Sequence, residues 1–389
     1  MKILTVSHLF PNHITPNKGV FVKERVKYIA KKVDLSIVAP IPYFPFNYML
    51  GQYKNFNKIQ DEEIFDHLPV KHPRFLSIPK LAKSADGILY YWSLNKYFSN
   101  LISTNQFDLL DFHWVYPDSY AGIKWAQTFN KKIVVTIRGN ESIYYFEKNS
   151  RKRIVIKCLH SVDHIVSVSN DLKNKVVNDY GLESQNVTVI PNGIDLNKFY
   201  KIDRTAAQKM CNLDSNKRYI ITISRLSHEK GIEHLIRAFA KLKVNNTILI
   251  IIGNGPLRKK LQSLSHDLKI STSVKFLGFI PHDDTNKWYN AADIFCLPSL
   301  WEGCPNVVIE SLACGTPVVS TQVGGIPDLV PSKYYGLLVK PGEPNELADA
   351  FDYALSEKWD RSAISAFGRK NSWENVADRV IQVYKKVLK

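Results

Sequence analysis

Cysteine is scarce in this chain and lacks the spacing that a covalent or metal framework requires. The 389 residues contain five cysteines, an odd number, and no two of them form a C-x-x-C pair. We therefore expect no disulfide framework and no zinc site, and reduced thiols in a cytosolic compartment. Zinc-finger spacing and the aromatic motif of RNA-recognition domains are also missing, so no nucleic-acid partner is expected.

Long hydrophobic runs and acidic residues are in short supply as well. No apolar run approaches the ~18 residues of a membrane-spanning helix. The apolar stretch after Met1 and Lys2 is broken by Ser7, His8 and Pro11, so no signal peptide is predicted. Lys and Arg number 52 against 36 Asp and Glu, a net charge of +16. This charge attracts anions and favours a phosphorylated substrate or an anionic lipid surface as partner.

Length and pattern predict two domains of the α/β class. Chains this long usually exceed one hydrophobic core, and apolar strands alternate with helical patterns throughout, which is typical of doubly wound parallel sheets. A turn-rich PNGID stretch, Pro191–Asp195, precedes a polar segment and then a fresh series of strands. We place the domains at 1–195 and 196–372, and expect a last helix, about 373–389, to pack back on the first domain.

Polar residues follow three predicted strands of the first half. His113 follows a strand at about 108–112, Gly139 one at 133–137, and Ser169 one at 164–168. Ligands of open parallel sheets gather at the carboxyl ends of strands, so these three residues are predicted to face one crevice. A lone histidine is nevertheless more often structural than catalytic, and both roles stay open for His113.

Two features of the first half suggest a membrane surface, and each has a plainer alternative. A predicted helix at about 20–32 has an apolar face and several basic residues. It can lie on an anionic bilayer, or be a core helix with a solvated basic side. The aromatic segments 40–56 and 88–98 show no clean period, and predict either a binding wall or membrane-interface lip, or buried core.

The stretch 301–328 organises the second half. Pro305 suits a first helical turn and Gly315 the position just past a helix end, so a helix is predicted over about Pro305–Cys314. Glu302 then lies in the loop before the helix and Glu310 inside it. A helix N-terminus attracts anions and sugar hydroxyls. The alternative is a solvated glutamate, a helical glutamate and an ordinary strand.

Cations and glycines follow other strands of the same half. Arg225 and Lys230 lie five residues apart on a short loop after a strand, and such a pair suits a diphosphate, although both can equally be surface cations. GNGP, at 253–256, gives backbone access at the same sheet edge, and Gly324 and Gly325 form a further glycine pair. The short glycine cluster lacks the full dinucleotide-binding spacing.

These motifs together resemble a known family over essentially the whole chain. SRLSHEKG, NGID, IIGNGP, AADIFCLPSLWEGCPNVVIESLACGTPVVST and GGIPDLV are similar to those of retaining glycosyltransferases of family 4. The resemblance implies the GT-B fold, two Rossmann-like domains facing a central cleft, the first binding the acceptor and the second the nucleotide sugar. It implies transfer from a UDP- or GDP-linked donor to a lipid-linked or polysaccharide acceptor in cell-surface glycan synthesis. It also implies no cofactor and no divalent metal, and a cytoplasmic enzyme with peripheral association at the inner membrane face.

The resemblance assigns roles residue by residue. Arg225 and Lys230 hold the diphosphate and stabilise the leaving group, Glu302 holds the sugar ring, Glu310 bonds the ribose hydroxyls, and His113 reaches the far side of the sugar. The catalytic set is therefore His113, Arg225, Lys230 and Glu302, and the further donor-binding residues are Gly19, Gly139, Gly253, Gly255, Gly303, Cys304, Pro305, Asn306 and Glu310.

Two departures from the family pattern affect this assignment. Gly19 stands alone where many members have paired glycines, which weakens its predicted contact with the phosphates. Arg138 stands where a histidine is frequent, and its role stays open. The alternatives for the whole chain are a nucleotide-sugar epimerase of GT-B type, a non-catalytic nucleotide-sugar sensor, and a hydrolase with paired carboxylates.

Overall fold

The computed structural model describes residues 1–44, 55–77, 85–139 and 151–389, which form two compact units. One unit is Met1–Asn192 together with Trp373–Lys389, and the other is Gly193–Ser372. The chain thus passes between units inside the PNGID turn. Most of the first aromatic segment lies outside the described residues.

The described residues of the first unit form ten strands. They are β1 (Lys2–Val6), β2 (Asp34–Val38), β3 (Ile41–Tyr43), β4 (Glu62–Phe65), β5 (Leu68–Lys71), β6 (Arg74–Leu76), β7 (Leu109–Phe112), β8 (Lys132–Ile137), β9 (His164–Ser167) and β10 (Val187–Val189). Eight form one sheet in the order β10-β9-β8-β7-β1-β2-β5-β4, and β3 pairs with β6. The predicted α/β class with parallel sheets is confirmed, and one edge strand departs from it, because β4 runs antiparallel to β5.

Five α-helices lie between these strands in the described residues up to 192, and the second aromatic segment lies on one of them. They are α1 (Val20–Ala30), α2 (Asp86–Asn105), α3 (Tyr120–Thr128), α4 (Lys152–His160) and α5 (Asn170–Asn178). On α2, Tyr90, Leu94 and Phe98 are buried at a spacing of four, so this segment has a helical period and packs one of its faces in the core. Trp92 on the opposite side is 80% exposed.

The second unit is built on a six-stranded parallel sheet, with helices between the strands. The elements are α6 (Arg204–Met210), β11 (Arg218–Ile223), α7 (Ile232–Phe239), β12 (Thr247–Ile252), α8 (Arg258–Asp267), β13 (Val274–Gly278), α9 (Thr285–Ala291), β14 (Ile294–Leu297), α10 (Asn306–Ala313), β15 (Val318–Thr321), α11 (Ile326–Leu329), β16 (Gly336–Val339), α12 (Pro344–Ser356) and α13 (Arg361–Gly368). The strand order is β13-β12-β11-β14-β15-β16. Every residue of β12, TILIII, is buried, as expected for a central strand covered on both faces.

The last helix, α14 (Trp373–Leu388), belongs to the first unit and packs on α1. Its buried residues Val376, Val380 and Val383 recur at helical spacing and share a core with Ile29 of α1. No helix among the described residues is long and apolar enough to cross a bilayer.

The packing also shows which alternative holds for α1. Its apolar face is buried, and Arg25 is fully buried with its guanidinium donating to the carbonyls of Ile190 and Pro191. Lys23 and Lys27 both pair with Asp66. The helix is therefore a core helix with a partly neutralised basic side, because its apolar face is not available to a bilayer.

Each sheet has one position at which the order of connections reverses. In the first unit this is between β1 and β7, and in the second between β11 and β14. In open α/β sheets, such switch points leave a crevice outside the carboxyl ends of the two strands, where ligands bind.

Candidate functional site

The switch point of the second sheet carries an ion pair between two predicted site residues. Lys230 follows β11 and Glu302 follows β14, and Lys230 Nζ lies 2.5 Å from Glu302 Oε1. The hydroxyl of fully buried Ser299 donates to the same oxygen over 2.7 Å. The side chains are 23% and 9% exposed, so the pair is partly shielded from water. The structure thus brings together two residues that are far apart in sequence.

A glycine fixes the loop that bears Lys230. Gly231 has φ +62°, and a Cβ there would lie 2.1 Å from the carbonyl oxygen of Pro298. The backbone N–H of Leu300 donates to the carbonyl of Glu229 over 2.8 Å. The two loops therefore pack backbone against backbone, which only a residue without a side chain permits.

The glycine pair at 324–325 supports Glu302 from the other side. Gly324 has φ +54°, and a Cβ there would lie 2.0 Å from the carbonyl oxygen of Glu302. The N–H of Gly325 donates to the carbonyl of Gly303 over 2.8 Å. These glycines hold the backbone of the Glu302 loop in place.

The GNGP turn packs on the loop that carries Arg225. A Cβ on Gly253 would lie 1.9 Å from the carbonyl oxygen of Ser224, and one on Gly255 would lie 2.3 Å from that of Leu226. Both glycines are thus needed for internal packing, and their contact with a donor stays a prediction. Arg225 itself is exposed and makes no hydrogen bond or salt bridge with the described residues, although its charge acts on the nearby carboxylate of Glu229.

Helix α10 starts one residue later and ends one residue earlier than predicted. Pro305 is extended, with φ −76° and ψ 113°, and lies at the cap position, while Gly315 has the expected left-handed conformation with φ +77°. Gly303, Cys304 and Asn306 are half-buried in the loop and first turn. Their predicted contact with the sugar stays a prediction.

Glu310 points into the core of the second unit, where it has two partners of its own. It is 4% exposed, accepts a hydrogen bond from the Tyr289 hydroxyl over 2.7 Å, and lies 2.9 Å from His282 Nε2. Burial and the Glu310 charge raise the pKa of Tyr289, which keeps the phenol protonated as a donor. The hydrogen bond to Glu310 raises the pKa of His282 despite partial burial.

The two glutamates therefore do not share partners. Glu302 bonds Lys230 and Ser299, whereas Glu310 is oriented by Tyr289 and His282. This separation argues against the hydrolase alternative, since an acid–base pair of carboxylates must face one sugar. The predicted contact between Glu310 and a ribose remains a prediction.

His113 lies in a buried polar network of the first unit. It is 1% exposed, with Nε2 2.9 Å from Asp111 Oδ2 and Nδ1 2.9 Å from Arg138 Nη2. Arg138 also donates to Asn192 over 2.9 Å. Burial lowers the pKa of His113, with Asp111 opposing it, and so favours the neutral ring. Arg138, whose role the sequence left open, orients His113, and the predicted contact of His113 with a sugar stays a prediction.

The other predicted residues of the first unit have structural reasons for their identity. Gly19 caps α1 with φ +69°, and a Cβ there would lie 2.3 Å from the carbonyl oxygen of Leu9. Ser169 is buried and caps α5 by accepting the N–H of Leu172. Gly139 directly follows β8 with φ +139°. Their donor contacts stay predictions.

Sequence reasoning missed several polar residues of these sites. Ser299, Tyr289 and His282 orient the two glutamates, and none of them stands in a recognisable pattern. His8 and Asp118 form a further pair at the switch point of the first sheet. The position of His8 just after β1 was the one signal available. Among the described residues, no three His, Cys, Asp or Glu side chains cluster as a metal site requires.

Family models match most of the chain. The description "Glycosyltransferase Family 4" matches residues 22–198, and "Glycosyl transferases group 1" matches residues 203–371. An uncharacterized glycosyltransferase of Methanocaldococcus jannaschii, MJ1607, is 26% identical over 99% of this chain and 98% of its own. The putative teichuronic acid biosynthesis glycosyltransferase TuaC of Bacillus subtilis is 27% identical over 92% of this chain and 90% of its own.

Solved structures share the fold across its whole length. The Anabaena protein HepE, solved in complex with UDP, superposes with a TM-score of 0.75 at 20% identity and covers 99% of this chain and 100% of its own. HepE was also solved in complex with UDP-glucose.

Proposed function

Because the chain belongs to family 4 of the glycosyltransferases, with the GT-B fold, we propose that it is a retaining hexosyltransferase that uses a UDP- or GDP-linked sugar. The observation that carries this proposal is the pair Lys230 and Glu302, at the carboxyl ends of two neighbouring strands and close in sequence to the unpaired Arg225. The complexes of HepE with UDP and UDP-glucose support a nucleotide-sugar donor.

The unused hydrogen-bonding capacity of this pair fits a diphospho-sugar. An ammonium has three donors, and Lys230 gives one to Glu302, which leaves two for phosphate oxygens. Glu302 Oε2 accepts no hydrogen bond from the described residues, and it can accept one from a sugar hydroxyl. Arg225 adds a second cation, and such groups stabilise the charge that develops on a departing diphosphate.

Glu310 supplies the second acceptor of the proposed donor site. Each carboxylate oxygen has two lone-pair directions, so Glu310 can accept ribose hydroxyls while keeping Tyr289 and His282. Because Tyr289 and His282 already hold the Glu310 carboxylate in one orientation, little side-chain entropy is lost when it binds a ribose. The fixed carboxylate therefore favours hydroxyls with the geometry of a ribose.

The acceptor proposed is a lipid-linked or growing polysaccharide at the cytoplasmic face of a membrane, in cell-surface glycan synthesis. The similarity to TuaC supports this class. The net charge of +16 supports peripheral binding to anionic lipid. Sedimentation with anionic vesicles tests the membrane part: binding that falls as salt rises is expected, and no binding at low salt contradicts it.

A donor screen tests the enzymatic part. UDP-glucose, UDP-N-acetylglucosamine, UDP-galactose and GDP-mannose are compared by thermal shift, and then by nucleoside diphosphate release with octyl glycosides as trial acceptors. We expect one base to be preferred, and a product with the anomeric configuration of the donor by NMR. Isomerisation of the donor without acceptor indicates the epimerase alternative, and the absence of both binding and release contradicts the proposal.

A matched pair of variants locates the activity. Lys230→Ala removes the ammonium beside Glu302, and we expect release to be abolished. Lys260→Ala removes an exposed ammonium 3.0 Å from Glu233 in the same unit and serves as the control. Equal activities of the two variants contradict the assigned site.

A further inference from the structure

A pocket of the second unit lies at the amino ends of three neighbouring strands. Arg218 begins β11, Asp293 directly precedes β14, and Pro317 directly precedes β15, and all three residues line it. The strands are neighbours in a parallel sheet, so their amino ends lie at one edge. Lys230 and Glu302 follow the carboxyl ends of β11 and β14. The six residues of β11 span about 20 Å, so the pocket and this ion pair lie at opposite edges of the sheet.

The size and charge of the pocket suit a small anionic molecule. Its volume is about 380 Å³, within the usual range of small-molecule sites. Four cations and two carboxylates line it. They are Arg204, Lys217, Arg218, Arg361, Asp293 and Glu357. The lining therefore carries more positive than negative charge, which attracts an anion and repels a metal cation.

The protein already holds the three guanidiniums of this pocket in place. Nη2 of Arg204 lies 2.9 Å from Oδ2 of Asp293. Arg361 donates to the carbonyl of Ala292 over 2.8 Å, and Arg218 donates to a carbonyl near the end of α12. Anchored side chains lose little entropy when a ligand binds. Arg204 and Arg218 each use only part of the five N–H donors of a guanidinium, so donors remain for phosphate oxygens.

Two of the cations have donors that no described residue accepts. Nε of Arg204 is buried and has no hydrogen-bond partner among the residues that the structure describes. The Lys217 ammonium makes no hydrogen bond or salt bridge with that part of the chain. A buried donor without a partner costs free energy, and a bound anion satisfies it.

The cations also repel one another. Burial and the charge of Arg204 lower the pKa of Arg361 to about 10, against the opposing charge of Asp293. A phosphate monoester carries about −1.5 to −2 charges at pH 7, so a phosphate bound among these groups relieves the repulsion. Guanidiniums also match the geometry of phosphate oxygens, since two N–H groups of one arginine can bind two oxygens.

Trp359 gives the pocket an aromatic wall. Its indole N–H donates to the carbonyl of Ala354 over 2.8 Å, and the ring packs partly against the core, so its position is fixed. Aromatic rings stack on nucleobases and pack on the apolar faces of other rings. Inorganic phosphate alone would leave most of the volume of about 380 Å³ unfilled. A phosphate attached to a ring fits the lining better.

We propose that this pocket binds a small phosphate monoester that carries a ring, a sugar phosphate or a nucleoside monophosphate. The phosphate contacts Lys217, Arg204 and Arg218, and the ring lies beside Trp359. A purely structural role, in which the cations only anchor α6 and α13, explains Arg204 and Arg361. It does not explain Lys217, which holds no described residue. The inference stands independently of the proposed function, because it concerns the other edge of the sheet.

Isothermal titration calorimetry of the full chain near neutral pH tests the inference. Glucose 1-phosphate, UMP and AMP are the probes, and glucose, uridine, adenosine and inorganic phosphate are the comparisons. We expect at least one ester to bind more tightly than inorganic phosphate and than its own dephosphorylated form. The preferred ester shows whether the source is a sugar phosphate or a nucleotide. The inference is overturned if no ester binds, or if every ester binds no more tightly than inorganic phosphate.

A matched pair of lysine variants locates the bound ester. Lys217→Ala removes a cation of the pocket, whereas Lys275→Ala removes an exposed cation of edge strand β13 that does not line it. Each variant loses one positive charge, so unspecific attraction falls equally. A hydrogen bond to a charged group contributes roughly 10–100-fold in affinity. The Kd of the ester should rise by about that factor in Lys217→Ala and stay within about two-fold of the parent in Lys275→Ala.

The Lys230→Ala variant separates the pocket from the proposed donor site. It should leave the Kd of the ester unchanged. A Kd that rises in Lys230→Ala but not in Lys217→Ala assigns the ester to the donor site and overturns the inference, and equal effects of Lys217→Ala and Lys275→Ala overturn it as well. A parent protein that binds the ester in this way but transfers no sugar supports the inference and contradicts the proposed function.

Arg218→Gln keeps the inference falsifiable if Lys217→Ala does not fold, which thermal melting shows. The glutamine amide can still donate to the α12 carbonyl, but the positive charge is lost. We expect the Kd of the ester to rise about 10-fold or more in this variant. An unchanged Kd in folded Arg218→Gln overturns the assigned phosphate contacts.

Discussion

Replacing Gly231 by alanine tests whether the Lys230–Glu302 pair depends on close backbone packing. The new Cβ lies 2.1 Å from the carbonyl oxygen of Pro298, about an ångström closer than contacts of this kind allow, and φ is +62°. The substitution therefore combines left-handed strain with a clash. The clash acts on Pro298, which is the first residue of the loop that leads from β14 to Glu302.

Gly342 separates these two effects because it shares the strain and lacks the clash. Its φ is +79°, and its nearest neighbour is a His234 ring carbon at 4.0 Å. Left-handed backbone costs about 1–2 kcal/mol for a residue with a side chain, and loss of freedom in the unfolded chain returns about 0.4–1 kcal/mol. Gly342→Ala should thus lower the free energy of unfolding by about 1 kcal/mol.

Gly231→Ala should lose more, since overpacking adds about 1–3 kcal/mol. The expected total is about 2–4 kcal/mol, and each kcal/mol corresponds to about 2–4 °C in the melting temperature of a domain of this size. Misplacing a reacting group by ~1 Å can cost ~10²-fold in rate. We therefore expect nucleoside diphosphate release by Gly231→Ala to fall by that order at temperatures where it is folded.

Urea unfolding followed by tryptophan fluorescence measures the stability difference, and the release assay measures the rate. Gly342→Ala should keep the parent rate, because its Cβ would meet only a ring carbon of His234, at 4.0 Å, and would not press on the Pro298 carbonyl. Equal stability losses in the two variants would show that the Pro298 contact relaxes without cost. A folded Gly231→Ala with the parent rate would refute the link between this packing and the site.

Three other expectations concern the two glutamates. Glu302→Gln keeps the size but not the charge, so donor turnover should fall at least tenfold while the melting temperature changes little, and near-normal turnover contradicts the role of Glu302. Tyr289→Phe removes one of the two hydrogen-bond partners of buried Glu310 and should cost about 1–3 kcal/mol in urea unfolding; no loss would mean that the Tyr289 bond contributes nothing. The pKa of His282 is raised by Glu310, so its stabilisation is present below about pH 6.5 and is lost as pH rises through the folded-state pKa. His282→Gln should therefore be more destabilising at pH 5.5 than at pH 8.5, and equal losses would contradict this.

The sequence predicts helices and strands well where a short run of residues has a regular pattern of apolar positions. Helix α14 was predicted to within one residue, because buried positions recur regularly along it. A strand such as β12, TILIII, is readable from the sequence because it is short, almost wholly apolar and followed by a turn. Edge strand β4 was missed because its pattern, buried at one position and exposed on either side, is weak over four residues.

The partners within the site could not be read in the same way. Lys230 and Glu302 belong to loops after different strands, and only the order of β11 and β14 in the sheet brings them together. The sequence predicted that Glu310 lies on a helix, but it did not predict that Tyr289 and His282 contact its carboxylate. Residue spacing along the chain predicts where a helix or strand ends. It does not predict which side chains of other elements contact the residues at that end.

Two histidines of the first unit, His8 and His113, show most clearly what the sequence alone does not predict. His8 and His113 both stand just past the carboxyl ends of neighbouring strands, so position alone favours them equally. The resemblance to the family pointed to His113, and the structure buries that ring between Asp111 and Arg138. His8 differs because its single anchor, Asp118, leaves Nε2 outward. The chemistry of a histidine depends on how many of its nitrogens have protein partners, and those partners can be two positions away, as Asp111 is from His113, or 110, as Asp118 is from His8.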